Sequence, residues 1–238
     1  MLSYLVLVMP AFALAMWAQH KVKSTYVKYS QVPSRSGLTG ADVTARILRD
    51  ENIALVDNPD RFPSGSACGL NAVPGQLTDH YDPRSRTLNL SHDIYHGTSI
   101  AALGIAAHEV GHAVQHARLY SPLMMRNIVY PVCNIGSTLS MPLIFAGMLL
   151  SLPQLMLIGI AFFTLAVIFT LITLPVEFNA SSRAIRALSS GGYLTEEELG
   201  GAKKVLDAAA LTYVAAAAVA LAQLLHLILS VMGSRSQH

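Results

Sequence analysis

Charged side chains are scarce in this chain: Asp, Glu, Lys and Arg make up 13% of its 238 residues, against roughly a quarter in ordinary soluble proteins. Cysteine is nearly absent. Cys68 and Cys133 are too few for a disulfide framework and read as ordinary thiols of a reducing compartment. Aromatic residues reach only 7%, with one Trp, and the net charge is +2 with no long basic run. That excludes the electrostatic footprint of a nucleic-acid-binding protein. No internal repeat or low-complexity segment is present.

What the chain has instead is apolar text in blocks. Residues 2–18, 128–150, 154–175 and 209–232 contain no Asp, Glu, Lys or Arg, and each approaches the ~20 residues a helix needs to cross a bilayer. Four spans are expected. The first is read as an uncleaved anchor, because MLSYL lacks the basic start of a signal peptide. Lys21, Lys23, Lys28 and Arg35 follow the first span, Arg118 and Arg126 precede the second, and Arg183, Arg186, Lys203 and Lys204 lie between the third and fourth. The positive-inside rule then puts the N-terminus outside and both polar regions inside. The expected organisation is an anchor (1–18), a polar domain (19–127), a transmembrane hairpin (128–175) turning at Leu152–Pro153, a cytoplasmic helical segment (176–208) and a last span with its tail (209–238).

Within the polar domain, Thr39 and Asp42 have the spacing of a capping box, so a helix is expected over about 40–51. Ile53–Val56 reads as a strand, and Asn58–Gly75, rich in Pro, Gly, Ser and Asn, as loop. Gln76–Asp82 and Thr87–Ser91 read as strands joined by a turn at Asp82–Pro83. Ser91 is placed to cap a short helical turn, and Thr98 or Ser99 a longer helix running to about Arg118. Thr195 and Glu198 form a second capping box, opening a helix that continues into the fourth span.

The chemistry is concentrated in Ala107-His108-Glu109-Val110-Gly111-His112. Residues four apart on a helix lie about 40° apart around its axis and about 6 Å along it. His108 and His112 are therefore placed to close on one zinc ion, with Glu109 beside the metal's water as general base. Gly111 costs about 1 kcal/mol relative to Ala in a helix, which points to close packing at that place. A third protein ligand is needed. Downstream of His112 the acidic residues are Glu177, Glu196, Glu197, Glu198 and Asp207. The consecutive glutamates suit a helix N-terminus, whereas Glu177 stands alone just past the third span and is the favoured third ligand. His116 lies about 12 Å along the axis from His108, too far to share the ion. His92 and His96 read as polar surface, His226 as a helix–helix hydrogen-bonding group, and Arg183 as an interfacial arginine or an oxyanion donor.

The segments Leu77–Pro83, Leu88–Ser91, Ser99–His116 and Pro175–Ser181 together resemble the YugP family of membrane zinc metallopeptidases, related to the HtpX-like and CAAX-prenyl proteases. The resemblance implies a membrane α-helical protein with a small α+β, gluzincin-like zinc-peptidase domain. It implies one zinc per chain on His108, His112 and Glu177, with Glu109 catalytic. In the HtpX-like relatives the third ligand belongs to an E-x-x-x-D pattern whose aspartate supports the metal site. Here Ser181 holds that place, so the support is open or falls to another group. The implied substrate is a polypeptide, membrane-associated or misfolded, at a bacterial inner membrane, with the lipid bilayer as the other partner and the catalytic domain facing the cytoplasm.

Two other readings stand beside this one. One is an intramembrane-cleaving protease of the site-2 type, with Asp207 as third ligand. The other is a zinc-stabilised membrane scaffold without turnover, against which the intact Glu109 argues. For substrate binding, Thr87–Ser91 is expected to be an edge strand that grips extended peptide through Leu88, Asn89 and Leu90.

Overall fold

A computed structural model describes residues 2–235. It is mostly helical: α1 (Leu2–Ser30), α2 (Gly40–Asp50), α3 (His92–Tyr95), α4 (Ile100–Ala117), α5 (Ser121–Leu149), α6 (Pro153–Ser190) and α7 (Glu196–Arg235). Four short strands, β1 (Ala54–Leu55), β2 (Ala67–Val73), β3 (His80–Asp82) and β4 (Thr87–Ser91), form one sheet. Helices α1, α5, α6 and α7 are long and apolar enough to cross a membrane. Two compact units separate. One holds the described residues up to Gln19, Met124–Pro175 and those from Leu211 onward; the other holds His20–Leu123 and Val176–Ala210.

The first unit is helical and carries large apolar side chains on its outside, among them Ile128, Val132, Ile135 and Phe145, as lipid-facing helices should. Its hydroxyls are satisfied locally: Thr138 donates to Asn134 O at 2.9 Å, Thr164 to Ile160 O at 2.9 Å and Thr173 to Phe169 O at 2.9 Å. Helices α5 and α6 approach closely at Gly159, where a Cβ would stand 2.8 Å from Ser140 O. Such small-residue contacts replace the hydrophobic drive that lipid removes. His226, on α7, packs edge-on against the Tyr4 ring.

In the second unit, α2 begins as its sequence dictates. The Thr39 hydroxyl accepts from Asp42 N–H at 3.1 Å, while the Asp42 carboxylate accepts from Thr39 N–H at 2.9 Å. Val43, Ile47 and Leu48 form its buried face. Helix α4 is capped by Ser99, whose hydroxyl accepts from Ala102 N–H at 3.1 Å. Alanine and glycine let neighbours close on α4 from most directions, and nearly all of it is buried. Leu103, Ala106 and Val110 meet Leu88 and Leu90 of β4, Val43 and Ile47 of α2, and Leu199 and Val205 of α7 in one core. The Thr195–Glu198 box opens α7, Thr195 N–H donating to Glu198 at 2.8 Å.

The sheet overturns two expectations. Strand order is β1-β2-β4-β3, with β1–β2 and β2–β4 parallel and β3–β4 antiparallel. The segment expected as loop contains β2, paired from Gly69↔Thr87 to Val73↔Ser91. Small residues fill it because Ala67, Cys68 and Gly69 are buried, and turn-forming residues around it disguise the strand. Second, β4 is no edge. Asn89 pairs with Asn71 on one side and His80 on the other, and Leu88 and Leu90 are sealed in the core. Leu88, Asn89 and Leu90 therefore have no free backbone edge with which to hold a substrate. Ser91 precedes α3 without capping it; its hydroxyl donates to Asp79 at 3.0 Å instead.

An interior β4 has a direct test. Asn89→Pro removes a ladder donor and leaves its carbonyl partner unpaired, a loss on the order of 1 kcal/mol before any steric cost. A clear drop in melting temperature is expected. An unchanged one would restore β4 as an edge.

Candidate metal centre

His108, Glu109 and His112 project from the middle of α4, and Glu177 from α6, all within the second unit. Gly111 lets the two helices meet: a Cβ there would stand 2.7 Å from Ala180 O and 3.2 Å from Ala180 Cα. No side chain fits into that gap, so the glycine that weakens α4 as a helix is what admits α6.

With the helices in contact, Glu177 Oε2 lies 3.3 Å from His108 Nε2 and 3.5 Å from His112 Nε2. Ligand atoms about 2.0–2.1 Å from a tetrahedral zinc ion stand roughly 3.3–3.4 Å from one another. The observed separations match that spacing, and two imidazoles with one carboxylate are a zinc donor set. One ligand atom from each of the three residues falls within 4.8 Å of the others, the one such group among the described residues. The residues therefore fit a zinc ion that leaves a fourth position open.

The electrostatics agree with a cation site. Burial disfavours a charged His112, but the hydrogen bond to Glu177 and the charges of Glu109 and Glu177 outweigh it and raise the imidazole's proton affinity above its ordinary value. Glu109 is buried beside this group. Its charge also reaches Asp79, where burial raises the carboxyl's pKa and hydrogen bonds from Ser91 work the other way.

Ser181 Oγ stands 3.1 Å from His108 Nδ1, so a hydroxyl occupies the position where the resemblance expected an aspartate. His112 Nδ1 stands 3.0 Å from Gln115 Oε1. Gln115 and Asp79 were not singled out by the sequence, although Gln115 follows His112 at the i,i+3 spacing that shares a helix face.

The remaining candidates fall elsewhere. Asp207 forms an exposed i,i+4 ion pair with Lys203 at 2.7 Å and does not join the histidines. His116 bonds the Tyr81 hydroxyl at 2.8 Å; burial, with the Arg86 charge, lowers its pKa. His92 and His96 stack on each other. Arg183 donates from Nε to Asn179 Oδ1 at 2.8 Å. Burial pushes the Cys68 thiol up to about 12, which leaves it unreactive at neutral pH.

Comparison with known proteins agrees with this geometry. A family model described as "Putative neutral zinc metallopeptidase" matches residues 4–232. The chain is 46% identical over 235 residues to "Putative membrane protease YugP" of Bacillus subtilis (strain 168), a match covering 99% of each chain. No solved structure matches. The chain belongs to this zinc metallopeptidase family.

The helix contact yields a paired prediction. Gly111→Val overpacks against Ala180 and should destabilise the protein by about 1–3 kcal/mol while lowering its zinc content. At Gly104 a Cβ would meet Ala202 at 3.4 Å, an ordinary contact, so Gly104→Ala should be neutral or stabilising by up to ~1 kcal/mol. Thermal melts and metal analysis read both; equal behaviour of the two variants would refute the close-approach argument.

Proposed function

We propose that this family member is a zinc-dependent endopeptidase of the membrane, with one zinc per chain held by His108, His112 and Glu177. The observation that carries the reading is the convergence of two imidazole nitrogens and a carboxylate oxygen at tetrahedral spacing, in a chain of a zinc metallopeptidase family. A bound zinc supplies a Lewis acid that brings the pKa of a coordinated water towards ~7. Glu109 takes the proton from the attacking water at its carboxylate and delivers it to the leaving amine. Its adjacency to His108 places it beside the metal without making it a ligand. Burial excludes competing solvent and strengthens each electrostatic contact.

The fold proposed for the polar unit is gluzincin-like, the motif helix lying against a small sheet and receiving its third ligand from a later helix. With β4 interior, β3 is the outer strand next to it. Its Tyr81 reaches His116 on α4, so β3 is the strand available to align an extended peptide by strand addition. The substrate class is polypeptide, membrane-associated or misfolded. The basic residues flanking the spans support a cytoplasmic polar unit at the inner membrane.

Two experiments test this. Purified protein should carry about one zinc per chain; His108→Ala, His112→Ala and Glu177→Ala should each lose most of it, and Glu109→Gln should keep zinc while losing peptidase activity by about 10²-fold or more. Full activity in Glu109→Gln would sink the mechanism, and normal zinc in Glu177→Ala would sink the ligand set. For orientation, cysteines at Ser151 or Gln154, in a background without Cys68 and Cys133, should react with an impermeant thiol reagent on intact cells. Cysteines at Arg84 or Ser190 should be protected, and the reverse pattern would invert the topology.

A further inference from the structure

Gln115 lies outside the His108–His112 pattern, yet it is completely buried (0% exposed). Burying an amide among apolar neighbours is unfavourable unless each of its polar atoms finds a partner. Gln115 meets that condition through three contacts. Its Oε1 lies 3.0 Å from His112 Nδ1, and its Nε2 donates to Val176 O at 2.8 Å and to Asn179 Oδ1 at 3.0 Å.

The chemistry of these partners fixes every donor and acceptor. Arg183 Nε can only donate, and it lies 2.8 Å from Asn179, so the atom facing it is the Asn179 oxygen. The Val176 carbonyl can only accept. Both oxygens therefore require the Gln115 nitrogen, which turns the Gln115 oxygen towards His112. An oxygen there needs a donor, so His112 carries its proton on Nδ1. With a zinc ion between the two side chains, that leaves the Nε2 lone pair for the metal, on the side that faces Glu177. The assignment thus runs from Arg183 through Asn179 and Gln115 to His112 without an arbitrary choice.

We propose that Gln115 is a positioning residue of the metal centre, working in two directions through one amide. Its oxygen locks His112 in the tautomer that presents Nε2 to the metal. Its nitrogen grips Val176 O, the carbonyl immediately before Glu177, and Asn179 one turn-face further on, so that α6 is seated against α4 with Glu177 in register. The inference rests on the reading of His112 and Glu177 as ligands. A purely space-filling role would be served by an apolar side chain of the same length, without an amide to desolvate.

The test uses the full chain in detergent or nanodiscs. Zinc affinity is measured by chelator competition, and melting temperature with and without zinc. Gln115→Met keeps the volume and removes the hydrogen bonds. Its zinc affinity should fall by about 10–100-fold, the usual effect of losing a group that orients a metal ligand. The metal-free melting temperature should fall less than the zinc-loaded one. Gln115→Glu keeps an acceptor for His112 and should recover part of the affinity. Should Gln115→Met fail to fold, ¹⁵N-histidine NMR of zinc-loaded wild type reads which His112 nitrogen carries the proton. An Nδ1–H form of His112 supports the proposal, and an Nε2–H form overturns it. Wild-type zinc affinity in a folded Gln115→Met, or equal falls in the two melting temperatures, also overturns it. Wild type that binds no zinc, or a His108→Ala variant that binds it normally, would overturn the ligand reading and this inference with it.

Discussion

The second unit depends on one close approach, the backbone of α6 at Ala180 lying in the gap that Gly111 leaves on α4. A carboxylate side chain is short, and the three donor atoms must come within about one ligand diameter of each other to share an ion. Helices separated by ordinary side chains pack about 8–10 Å apart, with bulky groups between them. Removing the side chain at position 111 lets the two backbones touch on the face where His108 and His112 project. The penalty in helix propensity is small beside what the contact permits. Ser181 and Gln115 exploit the same contact: each spans from one helix to the other, at His108 and at Val176.

The sheet serves the site by fixing α4 rather than by offering it ligands. Leu88 and Leu90 alternate with Thr87 and Asn89, so β4 turns two leucines into the core that holds Leu103, Ala106 and Val110 of α4. Because β4 is paired on both sides, its backbone cannot shift without breaking two ladders. Asp79 continues this bracing where β3 pairing ends, accepting from both the amide and the hydroxyl of Ser91. A helix seated on so constrained a strand holds its projecting imidazoles in fixed directions, which metal binding and general-base chemistry both demand.

Features that depend on local side-chain pattern were legible in the sequence. The apolar blocks announced four span-length helices, Thr39 with Asp42 and Thr195 with Glu198 announced two helix starts, and the His108–His112 spacing announced a shared helix face. A chain poor in acids also made Glu177 conspicuous, and it meets both histidines in space. What escaped depends on the backbone or on partners remote in sequence. The alternation in Thr87–Ser91 reveals which face is buried, but pairing runs through main-chain groups in the perpendicular direction, so interior and edge strands read alike. Strand β2 lacked a β-branched run because its buried start, Ala67, Cys68 and Gly69, packs through small residues, a tertiary effect. Gln115 was illegible for the same reason: two of its three partners lie on α6.

The neutral character of the groups supporting the histidines follows from the charge the site must hold. In the proposed centre a zinc ion brings two positive charges into a buried place, and Glu177 and Glu109 bring one negative charge each, so the group is balanced. A carboxylate behind His108, as in the E-x-x-x-D pattern of the resembled relatives, would add an uncompensated negative charge, or else would need a cation of its own. Burying unpaired charge is far more expensive than burying a hydrogen-bonded neutral group. Ser181 and Gln115 orient the same two imidazole nitrogens with a hydroxyl and an amide, which carry no charge. Arg183, whose charge would otherwise sit beside the network, is held one step back by donating to Asn179. In the proposed centre, orientation would thus come from neutral dipoles, leaving the two carboxylates for the metal and for the proton that catalysis moves.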